Sequence, residues 1–243
     1  MRTRFLDVEF DAMTMDQVID ALAETTPQSP FGYVVTPNVD HVVKLERGAA
    51  PAVAGIFERA RFCLCDSRVL ARLAALRGIQ LPVVPGSDLT AALFDRTIRP
   101  GDRITLVGGD DALLDGLRAR YPAVVFAQHQ PPMGLADRPD AIAAAARFVV
   151  DQQARFTFLA VGFPQQELVA AQLARQPDAR GVALCIGASL EFLTRQQMRA
   201  PRAVQRLGLE WAFRLGREPR RMWRRYLVEG PAIFRIAWRG RKA

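Results

Sequence analysis

The sequence predicts an α/β fold: a mostly parallel sheet with helices on both faces, followed by a basic helical appendage at the C-terminus. Three observations carry this expectation. Over the first 190 residues, short apolar runs of β type alternate with helical patterns, the order that builds a parallel sheet. Several runs, such as Phe62-Cys-Leu-Cys65, are apolar nearly throughout, as strands covered on both faces must be. Charge marks off the rest. From Arg195 to Ala243 there are fourteen Lys and Arg against Glu210, Glu218 and Glu229, while the first 194 residues hold nineteen basic and twenty-two acidic residues. The net charge of +8 therefore resides in the last fifty residues, and we expect a catalytic α/β unit over 1–194 and an appendage over 195–243.

In chain order, strands are expected at 5–10, 33–36, 62–65, 82–84, 104–107, 124–126, 156–161 and 182–186, where apolar and β-branched residues cluster. Helices are expected at 15–24, 40–47, 53–59, 68–76, 89–98, 112–120, 141–152 and 166–175. Thr14-Met-Asp-Gln17 has capping-box form before the first helix, and Asp110 is placed to cap the helix at 112–120. Pro164 is placed to start the helix at 166–175, and the alanines at 141–146 are good helix formers.

Half of the 243 residues are apolar, which excludes a disordered chain. The N-terminal residues carry no apolar signal region, and the longest apolar run, 156–164, is half of what a membrane span needs. A cytoplasmic or membrane-peripheral protein is expected. Cys63, Cys65 and Cys185 give no disulfide framework and are expected to be buried thiols.

In such folds ligands bind at the carboxyl ends of the strands. Those ends read Thr36-Pro-Asn38, Asp66-Ser67, Pro85-Gly86-Ser87-Asp88, Gly108-Gly109, Gly162-Phe-Pro-Gln-Gln-Glu167 and Gly187-Ala-Ser189, polar or glycine-containing at almost every exit. Asp66 directly follows a buried strand, where low-dielectric walls suit a general base; the alternative is that it caps the next helix. In Gly162–Glu167 two amides and a carboxylate crowd the first helical turn, where free backbone N–H groups meet oxygen-rich ligands; a capped helix start is the alternative. No G-x-G-x-x-G follows any strand. His41 and His129 are too isolated for a zinc site, and no D-x-D follows a core strand, so neither metal nor cofactor is expected. A nucleotide diphosphate would then need cationic side chains. The appendage offers them: after Pro219, Arg221, Arg224 and Arg225 share a helix face, with Arg214 two turns earlier, among Trp211, Trp223, Tyr226 and Leu227.

Together these residues resemble the WecG/TagA/CpsF family, glycosyltransferase family 26. The likeness runs along nearly the whole chain and is sharpest at Thr36-Pro-Asn38, Asp66, Gly162–Glu167, Arg199-Ala-Pro201, Gly208-Leu-Glu-Trp211, Arg214, Glu218-Pro-Arg220 and Arg224-Arg-Tyr226. The resemblance implies a Rossmann-like core and a mobile C-terminal appendage that touches membrane. It implies inverting transfer of a sugar from a UDP-sugar to a polyprenyl-diphosphate-linked saccharide, without metal, at the inner face of a bacterial membrane during polysaccharide assembly. It implies that Asp66 is the base, that Thr36 and Asn38 lie near donor and acceptor, and that Gly162, Gln165, Gln166 and Glu167 lie near the nucleotide. Arg214, Arg221 and Arg224 would neutralise the departing UDP.

The sequence departs from the family pattern in three places. Ser67 replaces a usual Gly, Gln165 a common Lys, and 187–195 a more Gly- and Asp-containing segment. The appendage also sets Arg235, Arg239, Arg241 and Lys242 beside Ile233, Phe234, Ile236 and Trp238, a mixture expected to meet anionic headgroups. Self-association is compatible with the surface that a core without its lid would expose. Two other functions remain open at this level: a nucleic-acid-binding protein with an Arg-rich tail, and a nucleotide-sugar oxidoreductase. The apolar residues among the arginines weigh against the first, and the missing glycine fingerprint against the second.

Overall fold

A computed structural model describes residues 2–48, 51–53, 55–194, 196, 198, 200–201, 204 and 207–239. The chain opens with an antiparallel hairpin, β1 (Arg2–Phe5) and β2 (Val8–Asp11), where one strand over 5–10 was expected. Leu6 takes a positive φ of 56°, which folds the chain back and pairs Phe5 with Val8. Helix α1 (Met15–Ala23) follows, closed at its start by the reciprocal Thr14–Gln17 capping box.

The sheet is parallel and six-stranded. Its strands are β3 (Gly32–Val35), β4 (Phe62–Cys63), β5 (Arg103–Gly108), β6 (Val125–His129), β7 (Phe156–Ala160) and β8 (Val182–Cys185), in the order β4-β3-β8-β7-β5-β6. This is the Rossmann-like arrangement expected. The run at 82–84 supplies only a bridge from Val83 to Cys65, because Pro82 and Pro85 have no N–H to extend a ladder. The helix expected at 53–59 is absent: a 3₁₀ turn at Pro51–Val53 gives way to turns from Gly55, whose φ of +73° is left-handed.

Alternate residues of the strands feed two cores. Val34, Leu64, Leu106, Phe156, Phe158 and Leu184 pack with α1, α4 (Gly86–Arg96) and α5 (Asp111–Arg120). Val35, Cys63, Val107, Leu159 and Cys185 face the other way, toward α2 (Val39–Glu46), α3 (Arg68–Ala75), α6 (Pro139–Gln152) and α7 (Gln165–Leu173). The three cysteines are free and buried on that second face. A short α8 (Ser189–Leu193) follows β8.

The described part of the C-terminal segment forms α9 (Glu210–Arg217), α10 (Pro219–Trp223), a π-helical turn over Arg224–Glu229, and α11 (Ala232–Arg239). Pro219 opens α10, where its missing N–H costs nothing. Helix α11 buries Ala232 and Ile233 in the second core, beside α2, and Ala237 is buried as well. Arg77 donates to the Ala237 carbonyl, and Arg72 Nη1 donates to that of Leu207 at 3.1 Å. The headgroup-facing set is thereby revised. Ile233 and Ile236 pack on the core, while Phe234, Arg235 and Trp238 stay exposed. The side chain of Arg239, and residues 241 and 242, lie outside the described residues.

Phe158 is fully buried and stacks on Phe94 with ring centroids 5.4 Å apart. Phe158→Ala should cost about 3–5 kcal/mol in a denaturant titration, the price of a large core cavity.

Candidate active site

The carboxyl ends of β3 and β4 lie side by side and deliver Asn38 and Asp66 to one place. Val35 pairs with Cys63, and the Asp66 N–H donates to the Pro37 carbonyl at 3.1 Å. Asp66 is not the cap of the next helix. Ser67 takes that role, its side chain accepting from the Leu70 N–H at 3.3 Å, and Asp66 lines the cleft. Asn38 caps α2: its Oδ1 accepts from the N–H groups of Asp40 (3.0 Å) and His41 (3.4 Å). With Oδ1 engaged, the amide nitrogen is the atom Asn38 has left for a ligand.

Asn38 and Asp66 form the core side of a cavity of about 380 Å³, together with Asp40, Ser67 and Arg68. Its other wall comes from the C-terminal helices: Glu210, Trp211 and Arg214 of α9, then Tyr226, Leu227, Ile233 and Phe234. The structure thus brings Asn38, Asp66 and Arg214 together across 176 residues of sequence. The Arg214 guanidinium is exposed and rests over the Phe192 ring, 5.3 Å from its centroid. Trp211 and Tyr226 stand 6.2 Å apart between their rings on the same wall.

The remaining residues of interest are placed differently. Thr36 is buried behind the cleft, where its hydroxyl donates to the Cys185 carbonyl at 3.3 Å. A Cβ on Gly86 would come within 3.0 Å of Thr36 Oγ1 and 3.5 Å of Ser189 Oγ, so these three residues meet tightly. Gly162 has φ +73° and open space around it, so conformation and not crowding favours glycine there. Gln165 is half-buried, and its amide lies against the carbonyls of Gly162 and Phe163. Arg224 is exposed and does not line the cavity, and the side chain of Arg221 lies outside the described residues, as does Arg199.

Gln166 and Glu167 are both buried, at 3% and 1% exposure, and face inward. Gln166 Nε2 donates to Glu167 Oε1 at 2.9 Å, while Gln166 Oε1 accepts from the Gly187 N–H at 2.9 Å. The pair therefore clamps the exit of β8 from below. Burial pushes the Glu167 carboxyl up to about 7 against the opposing pull of the Gln166 hydrogen bond. Burial, with Glu167 nearby, also raises the Cys185 thiol well above its ordinary range. Glu167 Oε2 has no hydrogen-bond partner.

Arg68 was not singled out in the sequence, although it stands two residues past Asp66 at a strand exit; it adds a second cation to the cleft. Trp211 and Tyr226 were noted as aromatics among arginines and within the family-like motifs, without a role in the cleft. Among the described residues, no three His, Cys, Asp or Glu side chains come together as metal ligands.

The family model described as Glycosyl transferase WecG/TagA/CpsF matches residues 3–243, and the chain belongs to that family. It is therefore grouped with glycosyltransferases of cell-surface polymer synthesis, which favours transfer over the oxidoreductase alternative.

Glu167 supplies a test of the clamp. Its folded-state carboxyl lies above the usual 4.5, so the fold favours the protonated form. Stability from this group is complete below about pH 4.5 and is lost as pH rises through about 7. Thermal melts between pH 4 and 8 should show wild type losing stability over that window. Glu167→Gln, which keeps the acceptor for Gln166, should remove that loss.

Proposed function

We propose that the protein is an inverting glycosyltransferase that moves a sugar from a UDP-sugar to a polyprenyl-diphosphate-linked saccharide. The observation that carries this is the pairing within one cleft of a core carboxylate, Asp66, with a guanidinium from the C-terminal helices, Arg214. Asp66 removes the proton from the acceptor hydroxyl, and the oxygen attacks the anomeric carbon from the face opposite the diphosphate. The bond from that carbon to the β-phosphate oxygen breaks, and its electron pair leaves with UDP. Arg214, with Arg68 across the cleft, meets the charge that develops on the leaving group. Cationic side chains thus do the work a metal would otherwise do, and no cofactor is invoked.

The C-terminal segment over 195–243 acts as a lid in this account. Away from the cavity it exposes Trp223, Val228 and Trp238, with Arg220, Arg224 and Arg235 also exposed. That mixture supports peripheral contact with an anionic, inner-face membrane surface, where a lipid-linked acceptor resides. No described helix is long and apolar enough to cross a membrane. Thr36 and the Gly162–Glu167 turn act from beneath, by fixing the strand exits around the donor.

The test is UDP release from a panel of UDP-sugars, with and without a short-chain polyprenyl-diphosphate sugar acceptor. Wild type should release UDP from one donor in an acceptor-dependent way. Asp66→Asn should lower the rate by about 10²–10⁴-fold, and Arg214→Ala by about 10²–10³-fold. Undiminished turnover in Asp66→Asn would remove it as the base.

A further inference from the structure

His41 takes no part in the transfer as described, yet it lies between Asn38, after β3, and Phe163, after β7. Its ring nitrogen Nδ1 lies 3.0 Å from the Asn38 backbone nitrogen. A backbone N–H can only donate, so Nδ1 is the acceptor and the imidazole carries its proton on Nε2. The contact is one half of a capping box; Asn38 Oδ1, accepting from the His41 N–H, is the other half. Glu or Gln usually fills the position that His41 fills here.

The ring is 8% exposed and does a second job. It packs on Phe163 with centroids 4.6 Å apart, and meets Phe57 edge-on at 6.5 Å. Phe163 belongs to the turn that begins at Gly162 and leads into Gln166 and Glu167. Lys44 covers the same ring, with Nζ 5.6 Å from its centroid, and pairs with Asp40 at 3.0 Å. One imidazole therefore touches both the residue that offers an amide to the cleft and the turn whose amides clamp β8.

We propose that His41 is a positioning residue for glycosyl transfer, its neutral imidazole holding Asn38 through Nδ1 while its ring holds the Gly162–Pro164 turn. The proposal rests on the transferase reading only for its effect on turnover; the geometric half stands alone. Protonating the imidazole turns Nδ1 into a donor facing another donor, so the capping box opens and Asn38 is released. The charged groups on its own helix are Asp40 and Lys44, paired with each other, and Glu46, which accepts from the Asp7 N–H at 3.2 Å. The phenyl groups of Phe57 and Phe163 are among the groups that meet the ring, and Asp66 shares the cleft with Asn38 and Asp40.

Two variants separate the roles. His41→Gln keeps an acceptor at the capping position but cannot gain a proton. His41→Leu keeps apolar bulk against Phe163 but has no acceptor. The Asn38 backbone amide, followed by NMR with amide exchange from pH 8 to 5, reads the geometry without any substrate. In wild type the resonance should titrate and its exchange, corrected for the intrinsic rate, should accelerate as imidazoles gain a proton. In His41→Gln it should stay protected throughout, and in His41→Leu it should be unprotected at both ends. In the transfer assay, His41→Leu should lose on the order of tenfold in kcat/KM with little change in melting temperature. His41→Gln should retain most of the activity and lose the acid limb that wild type shows. An Asn38 amide equally protected in all three proteins would overturn the proposal, as would equal losses of turnover in both variants. A wild type with the expected amide behaviour but no transfer would count against the proposed function instead.

Discussion

The cleft depends on one packing contact: the apolar face of α11 lying against α2 and the second core. Ala232 and Ile233 are buried there, Ala237 is buried as well, and Arg77 reaches across to the Ala237 carbonyl. Burying a side chain the size of Ile233 contributes about 1.5–3 kcal/mol and each alanine less, so this face holds a short helix without making its docking permanent. The order of elements makes the contact consequential. Helix α9 and the π-helical turn lie between the core and α11, so seating α11 carries Trp211, Arg214 and Tyr226 over Asp66. Losing the contact would leave Asp66 at an open strand exit with water for a neighbour and no guanidinium opposite it.

Behind the cleft lies a layer that sets the positions of the residues lining it. Ser67 caps α3, which frees Asp66 from that duty. Gln166 and Glu167 are turned inward and secure Gly187. Thr36, Gly86 and Ser189 meet closely where β3, β8 and α4 converge. Such layers are costly in a fold, since Glu167 is buried with one oxygen unpartnered.

Much of this was legible in the sequence, for reasons that are local. Strands buried on both faces advertise themselves as apolar runs, and the polar residues that end them fall at the rim whatever the exact strand length. That is why Asn38 and Asp66 were found, although β4 is only two residues long in its ladder. Long-range consequences were less legible. The hairpin depends on one residue, Leu6, adopting a left-handed φ that leucine rarely takes. The inward turn of Gln166 depends on Gly187, 21 residues away, offering its N–H. In α11, hydrophobic periodicity shows that one face is apolar but not which partner it meets. Ile233 and Ile236 were therefore grouped with Phe234 and Trp238 until packing separated them.

The central claim is a division of labour across the cleft: the core carboxylate acts on the acceptor, and the C-terminal guanidinium holds the diphosphate. Calorimetric titration of UDP into wild type, Asp66→Asn and Arg214→Ala tests it most directly, because UDP engages the leaving-group half of the site alone. The account predicts that Arg214→Ala weakens UDP by about tenfold or more, the loss of one charge-assisted bidentate contact, while Asp66→Asn binds UDP at least as tightly as wild type. Unchanged affinity in Arg214→Ala, or a matching loss in Asp66→Asn, would contradict it.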